Sequence, residues 1–109
     1  MKIALFGQYY QNSTAEIVQK VVSFLESKEI EIAFEAHFLA ILKEKNIVSK
    51  NYETYSCHKT LNNDFKALIS IGGDGTILKA ATFVRDKNIP IIGINAGRLG
   101  FLATIQFDN

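Results

Sequence analysis

The residues with the clearest chemical potential form the segment Gly72-Gly73-Asp74-Gly75-Thr76, between an apolar run and a segment with helical spacing. Glycines allow a sharp turn and a close approach of the backbone to a ligand, because they lack a Cβ atom. The amides of residues 75–77 would point out of a helix N-terminus, which attracts phosphate. The pattern is not G-x-G-x-x-G, because Leu78 stands at the third glycine, and no Gly-Lys-Ser/Thr of a P-loop follows. The segment predicts a phosphate-binding turn of another kind.

Asp74 is the unusual residue of this turn, because a carboxylate repels a bound phosphate. It fits the turn if it accepts a proton from a hydroxyl that attacks a nearby phosphoryl group. The structural alternative is a helix N-cap, where aspartate contributes ~1 kcal/mol. Lys79, which we place in the first helical turn, presents a similar choice. A cation near a helix N-terminus is disfavoured by the helix dipole. Lys79 either faces a bound phosphate that offsets this cost, or it is a lysine whose ammonium lies in solvent. Both alternatives stay open on the sequence alone.

A second glycine-bearing segment, Asn95 to Leu102, follows the next apolar run. Its glycines, Gly97 and Gly100, suggest positive φ angles or a close backbone approach. Phe101 either stacks on a base or belongs to the core, and Arg98 either meets a phosphate or is an exposed loop residue. Since ligands bind at the carboxyl ends of parallel strands, we expect the two segments to lie side by side at one edge of the sheet.

Strand-like and helix-like segments alternate along the chain. We predict strands over 2–7, 30–35, 67–71 and 90–94, helices over 14–27, 36–45 and 76–85, and a loop with one short strand within 46–63. A Ser13–Glu16 capping box opens the first helix. Carboxylates alternate with apolar residues in strand 30–35, so one of its faces should meet water, and we expect the strand to be half exposed or near an edge of the sheet. The pattern predicts a Rossmann-like, mainly parallel sheet flanked by helices, an α/β fold.

Length and composition narrow the classes of protein to consider. The 109 residues fit a single α/β domain over 1–109, and 48% hydrophobic residues exclude a disordered chain. A formal charge of +1 gives no general attraction for nucleic acid or an anionic membrane. The single cysteine, Cys57, excludes an internal disulfide, and the chain shows neither a signal peptide nor the ~20 apolar residues of a membrane span. We expect a cytoplasmic protein without nucleic-acid or membrane partners.

No metal site or nucleophilic triad is predicted. His37, His58 and Cys57 lack the spacing of a structural zinc site, which needs about four ligands. No Ser–His–Asp or Cys–His arrangement has positional support.

Taken together, the two glycine-bearing segments resemble the NAD kinase family. That family carries Gly-Gly-Asp-Gly-Thr at the end of a strand and a later Asn-x-Gly-x-Leu-Gly-Phe-Leu segment, here Gly72–Thr76 and Asn95–Leu102. The first motif alone is shared in variant form with diacylglycerol kinases, sphingosine kinases and phosphofructokinase. Lipid kinases usually carry a Gly-Thr-Gly-Asn type of loop in place of the second. The resemblance implies ATP-dependent phosphorylation of the adenosine-ribose 2′-hydroxyl of NAD, which gives NADP.

The resemblance also implies a role for each matching residue. Asp74 would activate the 2′-hydroxyl, Gly75 and Lys79 would lie close to the dinucleotide, and Phe101 would lie near the adenine. The residues of the loop that would face the phosphoryl donor are Gly72, Gly73 and Thr76. ATP and a divalent cation such as Mg²⁺ would be required, NAD would be the substrate, and the full-length form would be a homo-oligomer.

Family members continue into a β-rich second domain that these 109 residues do not contain. We therefore expect the chain to be the N-terminal domain of a larger two-domain protein, and expect the isolated 109 residues to lack useful kinase activity. Two alternatives remain at this point. One is the front domain of a diacylglycerol-type lipid kinase, and the other is a non-enzymatic α/β binding module that keeps the nucleotide turn.

Overall fold

Strands and helices alternate along the chain and build one sheet. The computed structural model describes residues 1–8, 12–57, 59–61, 64–95 and 102–105, and describes only the backbone of residues 12, 13, 74, 95 and 102–105. Within these residues the elements are β1 (Lys2–Gly7), α1 (Asn12–Ser27), β2 (Glu31–Glu35), α2 (Ala36–Glu44), β3 (Glu53–Tyr55), β4 (Phe65–Gly72), α3 (Asp74–Val84), β5 (Ile91–Asn95) and β6 (Leu102–Ile105). The strand order is β3-β2-β1-β4-β5-β6. Every neighbouring pair is parallel except β5–β6, so the predicted mainly parallel sheet is confirmed.

Helices cover both faces of the sheet because its inner strands are apolar on both faces, as parallel strands usually are. On one face, α1 and α2 pack around Leu5, Phe34 and Phe38. On the other face, α3 packs around Phe6 and Leu68. No helix in the described ranges has both the length and the apolar character to cross a bilayer.

The winding of the chain leaves a crevice at the end of β1. From β1 the chain moves to β2 and β3 on one side, and the later strands β4 and β5 lie on the other side. The helices that follow β1 and β4, which are α1 and α3, pack on opposite faces of the sheet, and open α/β sheets bind ligands at such a point. The Gln8 amide donates a hydrogen bond to the Ile71 carbonyl at 3.1 Å, which holds the ends of the two strands together.

The prediction that one face of strand 30–35 meets water is wrong. β2 lies between β1 and β3, and its residues from Ile32 to Glu35 are all buried. The three-residue strand β3, which lies in the segment predicted as loop with one short strand, takes the edge position instead. Glu35 can be buried because its carboxylate caps α2.

Two helix starts also differ from the prediction. α1 begins at Asn12, so Ser13 is a helical residue and not the N-cap of a capping box. α3 begins at Asp74 with Gly73 as its N-cap, so the N-cap alternative for Asp74 is wrong. Because a helical turn takes 3.6 residues, this earlier start puts Lys79 in the second turn of α3 and not in the first.

Ser70 is a buried residue whose hydroxyl lacks a partner among the described residues. It lies in β4, in register with Phe6 and Gly93, and is 1% exposed. A buried hydroxyl without a hydrogen bond costs ~1–3 kcal/mol. We expect Ser70→Ala to raise the free energy of unfolding by up to ~1 kcal/mol in urea denaturation, because the alanine removes that cost and leaves only a small void.

Ser27→Ala serves as the control for this substitution. The Ser27 hydroxyl is exposed and donates to the Phe24 carbonyl at 2.6 Å, so its removal should not stabilise the protein. Destabilisation by Ser70→Ala of more than ~1 kcal/mol would contradict the prediction, because it would mean that the hydroxyl is satisfied.

Candidate functional site

The turn between β4 and α3 depends on a glycine at position 72. Gly72 is the last residue of β4 and has φ of +155°, a conformation that side chains rarely adopt. A Cβ atom there would collide with the Thr76 hydroxyl and lie 3.0 Å from the Thr76 Cβ. Gly73 then caps α3 with an extended backbone, and the helix begins at Asp74. The strand therefore passes into the helix with a single residue between them.

Thr76 holds this turn against the chain that follows β1. Its side chain is fully buried, and its hydroxyl donates to Gln8 Oε1 at 3.0 Å and accepts the Gly73 amide at 3.3 Å. The Thr76 amide in turn donates to the Gly73 carbonyl at 3.1 Å. One side chain thus joins the two loops that border the crevice.

Gly75 contrasts with Gly72, because a Cβ added to it would meet no atom of the described residues within 4 Å. Gly75 is exposed and helical, so the fold itself does not require a glycine there. The empty space lies beside the backbone of Asp74, the first residue of α3. This is room that a ligand could occupy, next to the amides at the helix N-terminus.

A cleft of about 730 Å³ opens over the carboxyl ends of β1 and β2, between α2 and α3. Its lining is aromatic and aliphatic, with a few polar groups. It comprises Phe6, Gly7 and Gln8 at the end of β1, Glu35, His37, Phe38 and Ile41 around the start of α2, and Lys79, Thr82 and Phe83 from α3. The volume falls within the range of small-molecule sites, which are mostly apolar with a few placed polar groups.

Glu35 is a buried carboxylate in the wall of this cleft and is 4% exposed. Its Oε1 accepts the Phe38 amide, and its Oε2 accepts the His37 amide and the His37 Nδ1–H, each at 3.0 Å. These bonds at the N-terminus of α2 offset the cost of burying a charge. Glu35 is not among the site residues predicted from the sequence. The available signal was its position between a strand and a helix, where an acidic residue can cap the helix.

The neighbouring Tyr55 is also buried, and its hydroxyl donates to the Leu5 carbonyl at 3.0 Å. Burial raises the pKa of Tyr55 well above its ordinary value, and the negative charge of Glu35 raises it further. Tyr55 therefore stays protonated as a hydrogen-bond donor to the β1 backbone, and its ring packs edge-on against Phe83 of the cleft lining.

The structure brings some of the predicted site residues together. Gly72 pairs in register with Asn95, so the second glycine-bearing segment starts beside the first, as the sequence predicts. Lys79 is exposed and lines the cleft. Asp74 is placed by its backbone only, and Phe101 and Arg98 lie outside the described residues.

Within the described ranges, no group of three His, Cys, Asp or Glu side chains gathers in a way that could hold a metal ion. Cys57 is exposed, and hydrogen bonds from the backbone of Lys59 and Thr60 lower the pKa of its thiol.

Comparison with known protein families gives one match that spans nearly the whole chain. The family model described as the ATP-NAD kinase N-terminal domain matches residues 3–109. The match includes both glycine-bearing segments, Gly72–Thr76 and Asn95–Leu102.

Curated relatives agree with this match. The chain is 54% identical over 109 residues to the NAD kinase of Flavobacterium johnsoniae, a match that covers 100% of this chain and 37% of the relative. It is 42% identical over 106 residues to the NAD kinase of Bacteroides fragilis, a match that covers 97% of this chain and 36% of that relative. It is 31% identical over 109 residues to the NAD kinase of Methanothermobacter thermautotrophicus, covering 100% and 36%. The chain thus spans little more than a third of the length of these relatives.

The two glycines of the turn should respond in opposite ways to alanine. We expect Gly72→Ala to lower the free energy of unfolding by at least ~1 kcal/mol, because it combines a strained φ with a collision at Thr76. Gly75→Ala should leave stability unchanged or raise it by up to ~1 kcal/mol, because alanine is the better helix former and space is available. Urea denaturation of the two variants measures the difference, and equal destabilisation by both would contradict this geometry.

Proposed function

Because this chain belongs to the NAD kinase family through its N-terminal domain, we propose that the full-length protein phosphorylates the adenosine-ribose 2′-hydroxyl of NAD with ATP. The observation that carries the proposal is the turn Gly72–Thr76 at the point where the sheet changes winding direction, with space beside Gly75 that no described residue fills. The turn offers helix amides to a phosphate and places an aspartate beside them.

The strand order supports separate places for the two substrates. β4 ends between β1, whose end borders the cleft, and β5, which leads into the segment Asn95–Leu102. We propose that the phosphoryl donor lies on the cleft side of the turn and that NAD lies on the β5 side. The turn would then be the point where the γ-phosphate of one substrate meets the 2′-hydroxyl of the other, as an in-line transfer requires.

In this proposal Asp74 accepts the proton of the 2′-hydroxyl. The 2′-oxygen forms a bond to the γ-phosphorus, the bond from that phosphorus to the bridging oxygen breaks, and ADP leaves with the electron pair. The proton passes to the Asp74 carboxylate and then to solvent. The place of Asp74 as the first residue of α3, directly after Gly73, supports this role, because it puts the residue at the end of β4.

The other family positions have supporting roles in the proposal. The resemblance implies a place for Lys79 near the dinucleotide, whereas Lys79 lines the cleft that we assign to the donor, so we propose that its ammonium attracts the phosphates of the donor. The Gly72 and Gly73 backbone would face the donor, and Thr76 would hold that loop in place through its bonds to Gly73 and Gln8. Phe101 would stand near the adenine of NAD.

A divalent cation such as Mg²⁺ would be held mainly by the phosphates of ATP. The described side chains offer no cluster of three acidic or imidazole ligands, and Mg²⁺ commonly binds through one or two carboxylates together with substrate phosphates. When bound, the cation would neutralise phosphate charge, while the residues of this chain position the reacting groups. Homo-oligomer formation and a cytoplasmic location stay predictions for the full-length protein.

The lipid-kinase alternative has no support from the relatives described above, which are named NAD kinases. An assay of the full-length protein with labelled ATP and either NAD or diacylglycerol distinguishes the two. Turnover of the lipid and not of NAD would overturn the proposal.

Asp74→Asn tests the proposed proton acceptor. We expect turnover of the full-length protein to fall by at least ~10²-fold while NAD and ATP still bind, because the amide cannot accept the proton. A coupled assay for NADP gives the rate, and isothermal titration gives binding. Asp86→Asn, which changes an aspartate two residues beyond the C-terminal end of α3, should keep its rate within about threefold. Unchanged turnover in Asp74→Asn would exclude the proton-acceptor role.

We further expect a polypeptide of residues 1–109 to have no useful kinase activity. The family match covers only the N-terminal domain, and Leu78, which follows the turn in α3, is 71% exposed and open to contact with further residues. The coupled NADP assay compares this polypeptide with the full-length enzyme at equal concentration. A rate for the polypeptide near that of the full-length enzyme would refute the expectation.

A further inference from the structure

We propose that the Glu35 carboxylate recognises the ribose hydroxyls of the phosphoryl donor in the cleft between α2 and α3. This inference rests on the proposed function, because it assigns a nucleoside triphosphate to the cleft, and it names the residue that would select it.

The position of Glu35 in the fold supports the proposal. Glu35 is the last residue of β2, the strand beside β1, and its side chain lines the cleft at the carboxyl edge of the sheet. In nucleotide-binding parallel sheets with this winding, an acidic residue at the end of the second strand accepts hydrogen bonds from ribose hydroxyls. Glu35 has the corresponding place at the end of β2, while the glycine turn of this chain follows β4 and not β1.

The hydrogen bonding of Glu35 leaves capacity for a ligand. A carboxylate has about four acceptor positions on its two oxygens. Among the described residues, Oε2 accepts two hydrogen bonds from His37, and Oε1 accepts one from the Phe38 amide. One acceptor position on Oε1 is therefore not used by any described residue, and we propose that a hydrogen-bond donor of the ligand occupies it.

The other residues of the cleft indicate which kind of ligand would carry the group that donates this hydrogen bond to Glu35. Phe6, Phe38 and Phe83 provide apolar aromatic surface that suits a flat base, and Lys79 provides a cation from α3. A phosphate next to Glu35 would be repelled, so the group that faces the carboxylate must be uncharged or cationic and able to donate a hydrogen bond. A nucleoside triphosphate has a flat base, a ribose with hydroxyl donors and an anionic tail, and it satisfies all three requirements. Inorganic polyphosphate has neither the base nor the hydroxyls.

The test compares how efficiently the full-length protein uses different phosphoryl donors. We expect kcat/KM at saturating NAD to be about tenfold to hundredfold higher for ATP than for 2′-deoxyATP, 3′-deoxyATP or both, the range for a hydrogen bond to a charged group. Inorganic polyphosphate should be a poorer donor than ATP. Equal use of ATP and both deoxy analogues by the wild-type protein would overturn the proposal.

Glu35→Asp is the informative variant. Aspartate is a good N-cap and keeps the negative charge for α2, but it shortens the side chain by one methylene and withdraws the carboxylate from the cleft. We expect the preference for ATP over the deoxy analogues to fall to about threefold or less. The KM for ATP should rise, while kcat and the KM for NAD should stay unchanged. Glu35→Gln, which keeps the length but loses the charge, should lower the discrimination in the same direction.

Glu53→Gln is the matched control, because Glu53 lies at the start of β3 and pairs with Lys2 at the other end of the sheet. It should retain the wild-type discrimination. A folded Glu35→Asp protein that discriminates as the wild type does, or a change confined to the KM for NAD, would overturn the proposal.

Binding measurements separate this inference from the proposed function. If the wild-type protein formed no NADP from ATP and NAD, the proposed function would fail. Titration calorimetry with ADP and with 2′-deoxyADP and 3′-deoxyADP would still test Glu35. Tighter binding of ADP that is lost in Glu35→Asp supports the inference without turnover. Equal binding of the three nucleotides, or no binding of ADP, overturns it.

Discussion

The Thr76 hydroxyl makes the contact on which the rest of the site depends. It accepts the Gly73 amide and donates to Gln8 Oε1, so it fixes the β4–α3 turn and the chain after β1 with respect to each other. Gly72 makes this contact possible, because any Cβ at that position would occupy the place of the hydroxyl. With the turn held in this way, α3 starts immediately after β4, and its amides and Asp74 lie at the edge of the crevice.

The glycines around the crevice serve different physical purposes. Gly7 ends β1 where a Cβ would lie 2.6 Å from the Ile71 carbonyl and 2.8 Å from the Phe38 ring, so it allows β1, β4 and α2 to approach closely. Gly72 is required by its φ angle and by Thr76. Gly75 is required by neither, since its surroundings are open. The three glycines look alike in the sequence. In the structure, Gly7 and Gly72 are needed for close packing, whereas Gly75 leaves space that a ligand could occupy.

Charge is distributed unevenly around the cleft. A buried carboxylate at the end of β2 and an exposed ammonium on α3 line the same apolar cavity. Such an arrangement favours a ligand with hydrogen-bond donors at one end and negative charge at the other, and it disfavours a ligand that is anionic throughout. The carboxylate keeps its place because the N-terminus of α2 supplies three hydrogen bonds to it.

The sequence by itself determined the alternation of strands and helices, the phosphate-binding turn and the family, because these depend on local spacing and on a short run of glycines around Asp74. It also indicated that Gly72 and Asn95 would lie side by side, since parallel strands share an edge. It did not determine that β2 is an inner strand or that Glu35 is buried, because the carboxylates at residues 31 and 35 are the same in sequence. The tertiary structure distinguishes the two carboxylates. Because β3 lies outside β2 and α2 begins directly after β2, Glu31 is exposed to solvent and Glu35 is buried at the cleft.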